Sequence, residues 1–192
     1  MISKIKFAGI IFILTSCSFY SFRGSIPAHI KSISISPIQN NTIESQAADD
    51  IKVSLENTFI DENILRLLPS GASDSRLDII LLEFSDLPYS YSTDNISSVG
   101  YEILSEKEIK IKVKVSWYDL VSDVLLFEKQ FSGSGIYNPS QQDIGSDQID
   151  NDNDTYIDDD DDDEFGPPRE SAVKIASNKI SQQIANEVVS TW

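Results

Sequence analysis

The stretch Glu108–Trp117 (EIKIKVKVSW) constrains the fold more than any other part of the chain. Ile109, Ile111, Val113, Val115 and Trp117 alternate with Glu108, Lys110, Lys112, Lys114 and Ser116. Side chains of a strand point to opposite faces at every second residue, so this segment has one apolar and one charged face. It predicts a strand over Tyr101–Trp117 in a sheet with one side packed and one side open to water. The flanking residues extend the pattern. Asp119–Asp123 (DLVSD) reads as a hairpin turn and Val124–Phe131 as the returning strand, loosened at its end by Gly133 and Gly135. Upstream, Leu77–Leu82 (LDIILL) continues through Glu83, Phe84 and Ser85 as a long strand, and Pro88–Ser98 reads as a loop or irregular strand end.

Two segments carry the helical period. In Thr42–Asn63, Ala47, Ile51, Leu55 and Phe59 recur at four-residue spacing, with Thr42 or Ser45 as caps and Asp49 and Asp50 in the early turns. In Arg169–Trp192, Val173, Ala176, Ile180, Ile184 and Val188 form a stripe, while Lys174, Asn178 and Gln182 face outward. A first strand in Ile30–Ile38 ends in a turn at Pro37. The order is therefore βαβββα. The expected class is α+β: a four-stranded, mostly antiparallel sheet with two helices packed on one face.

The N-terminus reads as an address. Lys4 and Lys6 precede the apolar run Phe7–Leu14, which is too short for a bilayer span of roughly 20 residues. Small residues Thr15 and Ser16 then precede Cys17, the single cysteine of the chain. Leu14-Thr15-Ser16-Cys17 resembles the lipobox of bacterial lipoproteins. That resemblance implies removal of residues 1–16, lipid on Cys17 and a membrane anchor. Ser18 after the cysteine, rather than Asp, implies the cell outer membrane as the location. The alternatives are a plain signal peptide with an incidental cysteine, or a buried structural thiol.

The net charge of -16 excludes nucleic acid as a partner, because phosphate binding needs a basic face. The charge is localised. Asp143–Glu164 holds twelve acids and no Lys or Arg. Loss of Lys4 and Lys6 leaves the mature chain at -18, and setting those twelve acids aside leaves a body of -6. The acidic segment, 141–165, thus divides the mature domain into 17–140 and 166–192. Within it, Asp150, Asp152 and Asp154 stand at alternate positions, followed by Tyr156, Asp158 and Asp161. This resembles DxDxDG calcium loops, with the Tyr156 carbonyl as a ligand and Asp161 closing the set. Thr155 replaces the glycine of the sharp turn, and Asp161 is shorter than the usual Glu. The other reading is a polyacidic linker kept extended by self-repulsion.

No enzyme is expected. His29 is the only histidine, without a cysteine or serine dyad in sight, and reads as a surface or satisfied core residue. There is no glycine-rich phosphate loop. No cofactor is required, calcium aside. The lipobox, the βαβββα order, the mature start CSFYSFRGSI and the ending IANEVVSTW together resemble the LPS-assembly lipoprotein family (LptE). That resemblance implies a non-catalytic plug and assembly factor for the outer-membrane β-barrel that inserts lipopolysaccharide, with that barrel and lipopolysaccharide as partners. Lys110, Lys112 and Lys114 are candidate contacts to lipopolysaccharide anions; the other reading is a solvated strand face. Tyr89, Tyr91 and Tyr101 either pack on a barrel wall or cover one end of the sheet. The alternative function is a generic envelope binding lipoprotein, calcium-dependent or not. A third is a structural lipoprotein that contacts peptidoglycan.

Overall fold

A computed structural model describes residues 26–94, 101–157 and 166–190. The expected α+β class is observed, with six strands rather than four. The strands are β1 (Ser32–Ile35), β2 (Gln39–Asn40), β3 (Arg66–Leu67), β4 (Ser75–Asp94), β5 (Tyr101–Asp119) and β6 (Val124–Tyr137). The helices are α1 (Ser45–Asp61) and α2 (Pro168–Ser190). The sheet order is β3-β1-β4-β5-β6, with β2 also on β4. The two added strands are two residues each, too short to leave a periodic signal.

The antiparallel part is the meander β4-β5-β6. β1 runs parallel to both β3 and β4. A parallel pair needs a long crossover, and α1 supplies it. α2 packs on β5 and β6 and α1 packs beside it, on the sheet face where Ile109, Ile111, Val113, Val115 and Trp117 of β5 are all fully buried. The predicted stripes of α1 (Ala47, Ile51, Leu55, Phe59) and α2 (Val173, Ala176, Ile180, Ile184, Val188) are buried in the same core.

Of the two readings of Pro88–Ser98, the irregular strand end holds over the described part: β4 continues to Asp94, paired with β5 as far as Tyr101, with register shifts at Pro88 and Ser90. Two local expectations are corrected. β6 does not loosen at Gly133 and Gly135 but runs through them to Tyr137. The glycines are there because α2 crosses at that point. A Cβ on Gly133 would lie 2.1 Å from the Ala176 carbonyl oxygen, and one on Gly135 would lie 2.4 Å from that of Ala172. Finally, α1 is capped neither by Thr42 nor by Ser45. Glu44 holds the cap position without a side-chain bond, and the Thr42 Oγ1 accepts the Glu44 N–H at 3.3 Å.

One irregularity decides what faces the core. Leu77, Ile79 and Leu81 point inward, and continued alternation would bring Glu83 in next. The register shifts between Leu81 and Glu83, leaving Leu82 as an extra residue. This bulge turns Phe84 and Asp86 to the buried side, opposite Ile111 and Ile109.

His29 is half-exposed and lies against β5, its Nε2 2.6 Å from the Asp119 Oδ2. Burial raises the pKa of Asp119, but hydrogen bonds from His29 and from the N–H groups of Ser122 and Val121 outweigh it and hold the carboxyl at about 2. Its folded pKa lies below the unfolded 3.8, so the stability it adds is present above pH 3.8 and is lost as pH falls toward 2. Asp119→Asn is expected to cost about 2–3 kcal/mol near neutral pH. The difference from wild type should shrink as pH is lowered through that window, read by urea unfolding at each pH.

Candidate functional site

Lys110, Lys112 and Lys114 of β5 lie on the sheet face away from the helices. Each stands beside a carboxylate. Lys110 Nζ is 3.4 Å from Glu108, Lys112 is 3.1 Å from Glu83 and Lys114 is 2.8 Å from Glu128. The hydrogen bond from Lys114 holds the Glu128 carboxyl below its usual range, helped by Ser116. Alternation puts the lysines on one face, and the facing acids come from β4 and β6 as well as β5. Exposed pairs of this kind are worth about 0–1 kcal/mol, so an incoming anion can displace them. Lys114 also lines a groove of about 610 Å³ with Ser36, Pro37, Asp78, Tyr118 and Glu128. The groove lies where Pro37 separates β1 from β2. Two carboxylates and one ammonium line it, which suits a polar neutral or zwitterionic group better than a bare anion.

Beyond Lys107, where pairing with β6 ends, β4 and β5 continue as a two-stranded ribbon. It carries Tyr89, Tyr91 and Ile103 to solvent, the two tyrosines 56% and 59% exposed. Tyr89 and Tyr91 therefore do not cover the end of the sheet. The side chain of Tyr101 lies outside the described residues.

Over its described part, to Ile157, the acidic segment folds back on β6 and α2. A 3-10 turn at Ile144–Ser146 buries Ile144 completely in the core. Asn151, also buried, donates from Nδ2 to the Ile136 carbonyl at 2.7 Å and accepts the Ile136 N–H on its own carbonyl at 2.8 Å. Lys179 of α2 donates to the Asp152 carbonyl. The two ends of the segment meet, because the Ile144 N–H donates to Gly166 O at 3.0 Å. The carboxylates of Asp150, Asp152 and Asp154 come within 4.8 Å of one another. Asp150 also ties the turn, accepting the N–H groups of Asp154 and Thr155 at 2.9 Å each. Its oxygens keep further lone pairs for a cation. Tyr156 is exposed and donates its N–H to Asp154 at 2.8 Å. Asp158 and Asp161 of the predicted ligand set lie outside the described residues, as does Cys17.

Thr155 has φ 89, a left-handed conformation that a β-branched residue adopts only under strain. The turn is thus made without the glycine it calls for. Thr155→Gly is expected to stabilise the folded segment by about 1 kcal/mol. Slower amide exchange over 150–156 in the variant would show it.

The alternation rule missed a polar cluster at the far end of the core. The bulge brings Asp86 inward, where it meets Lys107 (2.7 Å), the Tyr137 hydroxyl (3.0 Å) and Arg169 Nε (3.1 Å). Arg169 also reaches Glu44 at 2.6 Å and lies over the Phe84 ring at 5.6 Å. Burial raises the Asp86 pKa, and the bonds from Lys107, Tyr137 and Arg169 reverse that, leaving it below its usual range. The cluster joins the starts of both helices to all three long strands. Only Arg169, at the first turn of a helix, hinted at it.

Among the described residues no helix is long and apolar enough to cross a membrane. No family model and no curated protein matches the chain. Solved structures show a similar arrangement at low identity. A minor lipoprotein from Acinetobacter baumannii is 12% identical with a TM-score of 0.42, covering 83% of this chain and 93% of its own. The protein CT253 from Chlamydia trachomatis is 10% identical with a TM-score of 0.48, covering 83% and 96%. Lipoprotein GNA1162 from Neisseria meningitidis is 14% identical with a TM-score of 0.38, covering 54% and 81%.

Proposed function

We propose that this chain is a lipid-anchored, non-catalytic protein of the outer membrane that acts by binding, as an assembly factor for the β-barrel that inserts lipopolysaccharide. The observation that carries the anchor is the Leu14-Thr15-Ser16-Cys17 box behind Lys4, Lys6 and a short apolar run. Several acyl chains on one cysteine hold firmly, at about 0.8 kcal/mol per buried methylene. The barrel reading is supported by the β4-β5 ribbon, which offers exposed tyrosines and aliphatic side chains beyond the packed body. Such a ribbon suits the wall of a larger β-structure better than a small-molecule site. Lys110, Lys112 and Lys114 are the proposed contacts to lipopolysaccharide phosphates, exchanging their carboxylate partners on binding.

Cys17→Ser is expected to abolish palmitate labelling and release the mature chain from the membrane fraction. The lipidated protein, isolated in mild detergent from its own outer membranes, should bring a large β-barrel in near-equal amount. Recovery of the lipoprotein alone, with other envelope complexes intact, overturns the barrel reading and leaves the anchor.

The convergence of Asp150, Asp152 and Asp154 favours a second reading, a calcium-dependent binding lipoprotein. Calorimetric titration of the mature chain with calcium tests it. No heat and no change in Tyr156 fluorescence discard it.

A further inference from the structure

We infer that the β5-β6 turn is a membrane-contacting tip that seats the folded body on the lipid bilayer holding its anchor. This rests on the anchor at Cys17 proposed above. Ile26, the first described residue, is nine residues from Cys17, so their separation is at most roughly 30 Å. The chain comes in at one particular place. After Ile26, the Pro27 carbonyl accepts the Ile30 N–H at 2.8 Å, and His29 binds Asp119, the last residue of β5. The next residues after Asp119 are the turn. The described chain thus begins at the end of the sheet that carries the turn, and the ribbon is at the other.

The turn is apolar where a solvent-facing turn is usually polar. Leu120, Val121, Val124 and Leu125 are 37%, 66%, 50% and 45% exposed. Four neighbouring aliphatic side chains held beside a lipid anchor are covered by the acyl boundary at little cost. The backbone fits the same environment. Val121 and Ser122 donate their N–H groups to the Asp119 carboxylate at 2.9 and 3.2 Å, and Leu120 donates to the Asp74 carbonyl at 2.8 Å. Donors satisfied within the protein need no water, which lowers the penalty of leaving it. Leu120–Leu125 holds one charge, Asp123, and no cation. Attachment of the tip is therefore by apolar burial and not by attraction to anionic headgroups.

The test is hydrogen exchange of the mature chain attached through Cys17 to phosphatidylcholine vesicles. Intact mass of the chain recovered from outer membranes reports lipidation of Cys17 separately. If Cys17 is bare, the anchor reading fails, and coupling it to a maleimide-headgroup lipid still presents the turn to the same surface. On attachment, exchange over 119–126 should slow about tenfold relative to the free chain, with 86–92 unchanged. The slowing should persist at about 0.5 M salt, where headgroup attraction is screened. Val121→Asp, at an exposed position, should remove it while leaving thermal unfolding in solution unaltered. Equal exchange in the free and attached chains, or slowing that disappears with salt, overturns the inference.

Discussion

Gly133→Ala is expected to destabilise the protein by about 3 kcal/mol or more, against a total of about 5–15 kcal/mol for a domain of this kind. Glycine inside a strand normally weakens it, so alanine there should help by a few tenths to about 1 kcal/mol. Here the sign reverses. The new Cβ would stand 2.1 Å from the Ala176 carbonyl oxygen and 3.1 Å from the Ile180 Cγ1. The carbonyl is part of the α2 backbone and cannot rotate aside, so the helix itself must lift off β6. Lifting it loosens Ala172, Ala176 and Ile180 together, all fully buried. Gly135→Ala acts on the same interface one turn earlier, and the double variant should not fold. Urea unfolding of the mature chain carrying Cys17→Ser measures the loss, with Ser134→Ala on the other face as the control. A Gly133→Ala variant within about 0.5 kcal/mol of the parent would mean that α2 does not cross β6 at this point.

The second large effect is at Trp117. It is fully buried at the foot of β5, its ring 5.8 Å from that of Phe127. Trp117→Ala should cost about 3–5 kcal/mol through lost burial and the cavity left behind. Its indole Nε1 is buried and finds no hydrogen-bond partner among the described residues. Trp117→Phe removes that unsatisfied donor along with part of the ring, so the two losses oppose each other and the net cost should be about 1 kcal/mol or less. Unfolding midpoints of the two variants, compared in urea, separate them. A phenylalanine variant as unstable as the alanine one would show that the indole N–H is satisfied after all.

Both sites show where reading the chain as a string stops. The β5 face was legible because one strand carried its whole message in ten residues. Gly133 and Gly135 were legible only as weak points of a strand, since nothing near them in the chain announces a helix that starts more than thirty residues later. The bulge at Leu82 shows the same limit. In LDIILLEFSD, strict alternation puts Glu83 inside; the fold leaves Leu82 unpaired and takes Phe84 instead, because burying an aromatic ring outweighs one irregular rung in a ladder. Asp86 follows Phe84 inward, and the cluster with Lys107, Tyr137 and Arg169 exists only because of that shift. The ribbon beyond Pro88 was legible only as a loop or an irregular strand end, because Ser, Tyr and Pro suit a loop until a partner strand pairs with them.

The candidate sites divide in the same way. The proposed lipidation of Cys17 rests on residues adjacent in the chain, so it is a reading of the sequence alone. The convergence of Asp150, Asp152 and Asp154 was legible because consecutive backbone alone brings alternate carboxylates together. What Lys110, Lys112 and Lys114 face, and which turn sits beside the start of the described chain, were not. Periodicity along one segment depends on bond geometry and reports faces, so the sequence by itself determined the two helices and the open sheet. Pairing across segments depends on which faces bury most apolar area together. The tertiary structure alone therefore decided the bulge, the glycine crossing, the carboxylates beside Lys110, Lys112 and Lys114, and the bond from His29 to Asp119 that sets the start of the described chain next to Leu120 and Val121.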